Sequence, residues 1–208
     1  MENSRDKLII EKDGLKLKKL EFEDAINIKN WGRHNNELLI DYELGNFTKN
    51  QLRIWYISKK SGIKNKYFAI YNEEDKMIGY LGMKNIALFK RTSTLGIVLD
   101  PNYVSKGYGY KSLKLFLNYY FDTLNMKEMD LEVNAFNERA LKLYKKIGFK
   151  YTAEYYGMFE NQKLDFSLPN IEKYRDCFIV NRGIIYSKNY VMNLSRKRFM
   201  IGENKNEI

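Results

Sequence analysis

Leu95-Gly96-Ile97-Val98-Leu99-Asp100-Pro101 and, shortly after, Lys106-Gly107-Tyr108-Gly109-Tyr110 mark a strand, a glycine-containing loop and the start of a helix. The apolar run that stops at Asp100-Pro101 predicts the strand, and apolar spacing over residues 108–124 predicts the helix. Glycines let such a loop approach an anion, and the first helical turn offers unpaired N–H groups at the positive end of the dipole. The loop therefore predicts a pyrophosphate cradle. The alternative is a tight strand-to-helix turn without a ligand.

This loop belongs to neither of two common phosphate-binding motifs. It lacks the third glycine of a Rossmann fingerprint, and it lacks the Gly-Lys-Ser/Thr ending of a Walker A loop. A lone Gly-x-Gly is weak evidence for phosphate binding, so the prediction of a cradle depends on further motifs elsewhere in the chain.

A second segment follows a predicted strand directly and has the sequence Asn134-Ala135-Phe136-Asn137-Glu138-Arg139-Ala140-Leu141-Lys142-Leu143-Tyr144-Lys145-Lys146-Ile147-Gly148-Phe149. Asn137 is placed to cap a helix over residues 137–146, and Gly148 is placed to end it. Tyr144 lies two turns after Asn137 and therefore shares its face of the helix. Phe149 begins the next predicted strand.

The remaining patterns extend the prediction to a complete α/β (α+β) fold. Further strands are predicted over residues 15–20, 67–71, 77–83, 129–133, 149–158 and 189–195, and further helices over residues 25–31 and after the capping box at Thr48. The consecutive strands predict antiparallel pairing, whereas the strand–helix–strand unit predicts one parallel step. The prediction is a single domain over residues 1–208, with a central mixed, mostly antiparallel sheet flanked by helices.

The composition excludes several classes of protein. With 44% hydrophobic and 15% aromatic residues, the chain is not intrinsically disordered. One Cys and one His exclude a disulfide scaffold and Cys-based or His-rich metal sites. No apolar run reaches the ~18 residues of a membrane span, and the charged N-terminus does not resemble a signal peptide. We therefore expect a cytoplasmic protein that needs neither a metal nor a membrane.

The formal net charge of +10 favours anionic ligands. The same charge is also explained by a general compositional bias, because the chain is rich in Lys, Asn, Ile and Tyr together. The basic residues are scattered along the chain except at Arg196-Lys197-Arg198. Nucleic acid is therefore not the expected partner, and a nucleic-acid-binding protein is a third hypothesis that rests on charge alone.

In this order and spacing, the segments around Leu95, Gly107 and Asn137 resemble the GNAT superfamily of acetyl-CoA-dependent N-acetyltransferases. The resemblance covers roughly residues 15–156 and rejoins at about residue 189. The Trp31 region and the helix after Thr48 look most like the branch that includes ribosomal-protein N-terminal and polyamine acetyltransferases.

The resemblance implies roles for individual residues. An N–H in the stretch Ile97–Leu99 would polarise the thioester carbonyl, Asn137 would contact the pantetheine arm, and Tyr144 would protonate the leaving thiolate. Acetyl-CoA would be the cosubstrate, and its binding residues would be Ile97, Val98, Leu99, Val104, Ser105, Lys106, Gly107, Tyr108, Gly109, Tyr110 and Asn137.

Two positions depart from the family pattern. Val104 stands where the family usually carries Arg or Gln, and Thr94 stands where relatives in this branch often carry a Glu that acts as base. The amine must then lose its proton through water or another carboxylate. The acceptor-side candidates are Asp41, Glu43 and Glu132, although each of them taken alone is more simply explained as a solvated charge.

The implied function is transfer of the acetyl group to a primary amine by direct attack in a ternary complex. The acceptor would be a small molecule, an amino sugar or a peptide N-terminus, and a homodimer is possible. The alternative is a catalytically weak GNAT-like acyl-CoA-binding or regulatory module, which the departures at Val104 and Thr94 would support.

Residues 157–187 are predicted to be an irregular insertion between the last two strands. A connection of this length is usually functional or disordered, and its apolar residues argue against disorder. We expect it to shape the acceptor pocket or a dimer contact, with Asp165, Glu172 and Asp176 as amine-facing charges.

Overall fold

The computed structural model of the chain describes residues 9–34, 36–60 and 62–204, apart from the side chains of residues 41, 203 and 204. The described residues form two compact units. The first takes in the residues up to 33 together with 44–129, and the second takes in 34–43 together with the residues from 130 onward. None of the helices in the described part of the chain has the length and apolar character that crossing a membrane requires.

The first unit contains five strands, each antiparallel to the next in chain order. They are β1 (Ile9–Lys12), β2 (Leu15–Lys19), β3 (Lys66–Tyr71), β4 (Met77–Ala87) and β5 (Thr92–Leu99). Its helices are α1 (Phe22–Asn27), α2 (Lys49–Lys60) and α3 (Tyr108–Asn118), and α3 continues into a π-helical turn over Tyr119–Thr123.

Alternation along β3 directs successive side chains to opposite faces of this unit. Tyr67 and Ala69 pack in the core that α1 and α2 cover. Phe68 points the other way, where its ring contacts Phe116 of α3 at 5.8 Å and Tyr119 at 5.9 Å between centroids. Helices therefore cover both faces of the first unit's strands. The predicted apolar stripe of α3 is confirmed by complete burial of Leu113, Phe116, Leu117, Tyr120 and Phe121.

The second unit is organised around its last strand. It contains β6 (Glu128–Asn134, which enters the unit at Asp130), α4 (Glu138–Ile147), β7 (Lys150–Met158), α5 (Pro169–Glu172), β8 (Phe178–Asn181), β9 (Ile184–Ser195) and α6 (Arg196–Asn204). Strand β9 pairs antiparallel with both β7 and β8. Across the described residues the predicted fold class is confirmed: a mixed α/β fold with a mixed, mostly antiparallel sheet flanked by helices.

The prediction of an irregular stretch over residues 157–187 is wrong at both of its ends. Strand β7 runs to Met158, and β8 and β9 form a hairpin from Phe178 onward. Its two turn residues, Arg182 (φ 50°) and Gly183 (φ 77°), both adopt the left-handed conformation that two-residue hairpins favour. The irregular part is therefore confined to residues 159–177, which contain the short helix α5 and a 3-10 turn over Arg175–Cys177.

Apolar residues of that segment pack within the second unit, as their number led us to expect. Phe159, Leu164, Ile171 and Phe178 are buried in one cluster with Leu38 and Phe136. Leu38 belongs to the short 3-10 helix Glu37–Tyr42. The segment thus packs on the connection that carries two of the predicted acceptor-side carboxylates.

Candidate active site

The coenzyme loop, residues 100–107, leaves β5 through a buried aspartate. Asp100 is 4% exposed, and its Oδ1 accepts hydrogen bonds from the N–H groups of Gly32 and Asn102, each at 2.9 Å. One carboxylate oxygen therefore connects the C-terminal end of β5 to Gly32, the residue that follows Trp31. The sequence showed Asp100 only as a strand stop, although Asp before a turn is a common N-cap signal.

The far end of the coenzyme loop holds two residues in the left-handed region, Ser105 (φ 61°) and Gly107 (φ 86°). A Cβ built on Gly107 meets no protein atom within 4 Å, so the space beside this backbone is open. Ser105, Lys106 and Gly107 are exposed. This backbone shape leaves room for an anion, which the predicted pyrophosphate cradle requires.

Helix α3 starts without a capping side chain. Gly107 is its N-cap residue, and the first bond of the helix runs from the Lys111 N–H to the Gly107 carbonyl at 3.1 Å. The N–H groups of Tyr108 and Gly109 precede that bond and have no acceptor within the helix. The loop and the helix start therefore fit a pyrophosphate, which requires several donors and a positive dipole end.

Charged side chains around the loop are of both signs. The Tyr108 hydroxyl donates to Glu73 Oε1 at 2.7 Å. A backbone hydrogen bond within Glu73, and secondly this bond from Tyr108, lower the pKa of that carboxyl. Lys106 is exposed, with its ammonium 5.3 Å from the centroid of the Tyr103 ring. Val104, where the family usually has Arg or Gln, is half-buried and offers no side-chain donor.

Strand β5 carries the predicted pantetheine-binding residues Ile97, Val98 and Leu99, all half-buried. They pair with Leu81, Tyr80 and Gly79 of β4. Gly82 and Gly96 lie directly opposite each other in the same pair of strands. A Cβ on Gly82 would come within 2.7 Å of the Tyr67 ring, so its absence allows Tyr67 to lean across β4 towards β5.

Helix α4 begins and ends at the predicted residues. Asn137 Oδ1 accepts the Ala140 N–H at 3.2 Å, and Gly148 (φ 112°) ends the helix with its N–H bonded to Tyr144 and Lys145 carbonyls. Since the Asn137 oxygen is occupied by capping, the side chain has its amide NH₂ left for the predicted pantetheine contact.

Tyr144 lies on the inner face of α4, 8% exposed, with its ring 5.8 Å from that of Phe149. Burial raises the pKa of its phenol well above 10, and Tyr42 adds to the effect. The group is therefore protonated at neutral pH, as a proton donor must be.

The three acceptor-side carboxylates have different surroundings. Glu43 Oε1 accepts the His34 N–H at 2.6 Å, and this bond joins the two ends of the connection over residues 34–43. Glu132 is exposed and hydrogen-bonds Tyr155, whose pKa is raised first by burial and then by this carboxylate. The side chain of Asp41 lies outside the described residues. In the part of the chain that the structure covers, no cluster of His, Cys, Asp and Glu could hold a metal ion.

Comparison with known sequences bears directly on this arrangement. The family model described as an acetyltransferase (GNAT) domain matches residues 15–150. Spermidine N(1)-acetyltransferase of Escherichia coli (strain K12) is 32% identical over 76 residues, which is 36% of this chain and 41% of that relative. The chain thus spans less than half the length of this relative. An uncharacterised N-acetyltransferase of Bacillus subtilis (strain 168) is 25% identical over 136 residues, 65% of this chain and 79% of that protein.

Solved structures share the fold at lower sequence identity. The crystal structure of spermidine N-acetyltransferase from Vibrio cholerae in complex with CoA and spermine superposes with a TM-score of 0.68 at 20% identity, covering 91% of this chain and 99% of that one. The resemblance to the GNAT superfamily is confirmed, because the family model spans more than half of the sequence and includes the loop, α3 and α4. The chain belongs to the GNAT acetyltransferase family.

Proposed function

We propose that the chain is an acetyl-CoA-dependent N-acetyltransferase that moves the acetyl group of the thioester to a primary amine. The observation that carries this proposal is the open coenzyme loop with left-handed Ser105 and Gly107 at the uncapped start of α3, in a chain of the GNAT family. The relatives named as spermidine N-acetyltransferases support an amine as the acceptor class.

The backbone supplies most of the proposed coenzyme contacts. N–H groups over residues 105–110 hold the pyrophosphate, and the backbone of Ile97–Leu99 pairs with the pantetheine arm as an added strand would. One N–H of that stretch polarises the thioester carbonyl, while the Asn137 amide donates to the pantetheine. These roles depend mainly on backbone groups, so the loop can bind the coenzyme although the hydrophobic Val104 offers no side-chain donor.

The acetyl thioester supplies an electrophilic carbonyl carbon. The amine nitrogen forms a C–N bond to it, the C–S bond breaks, and the electron pair of that bond leaves on sulfur. Tyr144 gives its phenolic proton to the thiolate, and its raised pKa keeps that proton in place beforehand. The amine proton leaves to water or to one of Asp41, Glu43 and Glu132, because Thr94 cannot accept it. Holding both reactants in one complex supplies much of the rate.

We also propose that residues 1–208 act as a single N-acetyltransferase domain in which the segment within 157–187 borders the acceptor or a second subunit. Its packing on Leu38 supports the acceptor version, because Leu38 precedes Asp41 and Glu43 by a few residues. Asp165 is a weaker candidate for an amine-facing charge, since Oδ1 already accepts from the Ser167 N–H and hydroxyl.

The test is release of CoA thiol from acetyl-CoA across a panel of primary amines, with calorimetric CoA binding measured on the same preparation. Thiol release that depends on the amine, with a stoichiometric N-acetylated product by mass spectrometry, is the expected outcome. CoA binding without turnover on any amine would favour the acyl-CoA-binding module instead, for which the absence of a Glu at Thr94 is the specific observation. Absence of CoA binding would refute both.

A further inference from the structure

Four aromatic rings form a cluster on the face of the first unit that α2 covers; we name it the aromatic cluster, and it comprises Trp31, Trp55, Tyr67 and Tyr80. The Tyr80 ring is central, with ring centroids 5.0 Å from Trp55, 6.3 Å from Trp31 and 6.3 Å from Tyr67. Trp31 and Trp55 are the only two tryptophans in the sequence, so Trp fluorescence reports on this place alone.

One cation lies among these rings. The Lys59 ammonium is 5.0 Å from the centroid of Tyr67, 5.7 Å from Trp55 and 6.0 Å from Tyr80. It makes no ion pair or hydrogen bond with any described residue. Burial, and secondarily the positive charge of Lys84, lowers its pKa. Aromatic faces offset part of the desolvation, but no carboxylate of the described residues neutralises the charge.

A second polar group beside the same central ring is unsatisfied. The indole Nε1–H of Trp31 is buried and has no acceptor, and it is the one such side-chain atom found among the described residues. An unpaired buried donor is costly, and structures usually supply it with a partner. The Trp31 indole and the Lys59 ammonium are thus two donors at one aromatic cluster, each without an acceptor oxygen.

The aromatic cluster adjoins the strand proposed to bind the coenzyme. Tyr80 pairs with Val98 of β5, and Val98 packs against the cluster. The Tyr67 hydroxyl lies 3.7 Å from the Cβ position of Gly96 on the same face. Lys84 of β4 pairs with Thr94 of β5. A group bound at the cluster therefore lies next to the β5 backbone, with cations around it rather than carboxylates.

We propose that the aromatic cluster is a subsite for the acceptor and binds an anionic oxygen group, a carboxylate or a phosphate, through the Lys59 ammonium and the Trp31 indole N–H. This inference rests on the proposed acetyl transfer, because it assigns the acceptor its chemical class: an amine that also carries an acidic group. A polyamine would instead bring further positive charge to a place that already holds Lys59 and Lys84, which costs free energy in a partly buried site.

The first experiment needs no turnover. Trp fluorescence is titrated with inorganic phosphate and, separately, with propionate, in the presence of saturating CoA so that the coenzyme loop is filled. We expect a saturable change that Lys59→Gln abolishes and Arg53→Gln preserves. Arg53 is an exposed residue of the same helix, so the two variants carry the same net charge. Lys84→Gln, on β4, is expected to weaken the response about 3-fold or more. This variant is the alternative test of the subsite if Lys59→Gln fails to fold. A response that is absent, or unchanged in both lysine variants, overturns the subsite.

The second experiment compares amines in matched pairs: glucosamine 6-phosphate with glucosamine, and C-terminally amidated Ala-Asp with Ala-Asn, with spermidine alongside. We expect kcat/KM for the acidic member of an accepted pair to exceed its partner by about 10-fold or more, the scale of one charge-assisted hydrogen bond. Lys59→Gln should remove most of that preference. The two pairs separate a phosphate from a carboxylate as the recognised group.

The outcomes separate the two proposals. Acetylation of spermidine as the best acceptor, with no preference within either pair, would overturn the subsite and leave acetyl transfer standing. A saturable, Lys59-dependent fluorescence response without acetylation of any amine would overturn the proposed function and leave the anion site standing.

Discussion

Helices α3 and α4 both follow a strand, but their first turns are built differently. The start of α4 is satisfied by the chain itself, because Asn137 accepts the Ala140 N–H. Helices α1 and α2 are likewise closed, by capping boxes at Glu21 and Thr48. Helix α3 starts instead at Gly107, with positive φ, open space beside it and no capping side chain. The first N–H groups of α3 therefore lack a capping side chain, which costs the helix stability and is what the proposed pyrophosphate site requires.

The largest expected effect concerns the chemical role of α4. Tyr144→Phe should fold and bind CoA like the parent protein but lose about 100-fold in turnover, because a general acid contributes on that scale. Steady-state kinetics with the best acceptor would measure it. Tyr186→Phe, a half-buried tyrosine of β9, is the matched control and should retain full turnover. An unchanged rate in Tyr144→Phe would show that Tyr144 is not the general acid.

The next effect tests the open start of α3. Gly107→Val should weaken CoA binding by about 10-fold or more, since the branched side chain occupies the space the pyrophosphate needs and strains a positive φ. Gly183→Val is matched, because Gly183 has φ 77° and its Cβ also meets nothing within 4 Å. Both variants should lose about 1 kcal/mol or more of stability, but calorimetry should show weaker CoA binding in Gly107→Val alone. Equal affinities would remove the cradle.

A smaller effect is expected at the capped helix start. Asn137→Ala should lower the free energy of unfolding by about 1 kcal/mol through loss of the cap. Thr48→Ala removes the cap of α2 in the same way and serves as control. If the Asn137 amide also contacts the pantetheine, its variant should bind CoA more weakly while Thr48→Ala does not. Denaturant unfolding and calorimetry on both proteins would separate the two roles.

The smallest effect concerns pH and the capping box of α1. Burial raises the pKa of Asp24 above 3.8, despite hydrogen bonds from the Tyr71 hydroxyl and the Glu21 N–H. Between 3.8 and the folded-state pKa the folded protein binds more protons than the unfolded chain, so stability from this group falls as pH rises. Asp24→Asn cannot titrate. The stability of the parent relative to this variant should therefore decrease with rising pH through that window. Urea unfolding from pH 3.5 to 7 would measure it, and a difference that grew with pH would contradict the expected sign.

Local signals predicted the elements that carry the coenzyme loop. Thr48 with Gln51, and Asn137 with Gly148, were predictable because capping depends on residues three or four positions apart. The hairpin turns at Asp13-Gly14 and Arg182-Gly183 are also local features, and all four residues have positive φ. A glycine at the second turn position was the sequence signal that could have revealed β1 and β8. Helix α6 was hidden because its basic residues show no clear apolar period.

The sequence by itself determined the family, the strand–loop–helix unit around Gly107 and the positions of Asn137 and Tyr144 on α4, since each depends on short spacings along one strand or helix. Only the tertiary structure decided that Asp100 holds Gly32, that Tyr67 crosses Gly82, and that Lys59 lies against three aromatic rings, with no carboxylate of the described residues paired to it. These contacts join residues far apart in the chain. They depend on strand register and helix packing, which no local pattern of residue types specifies.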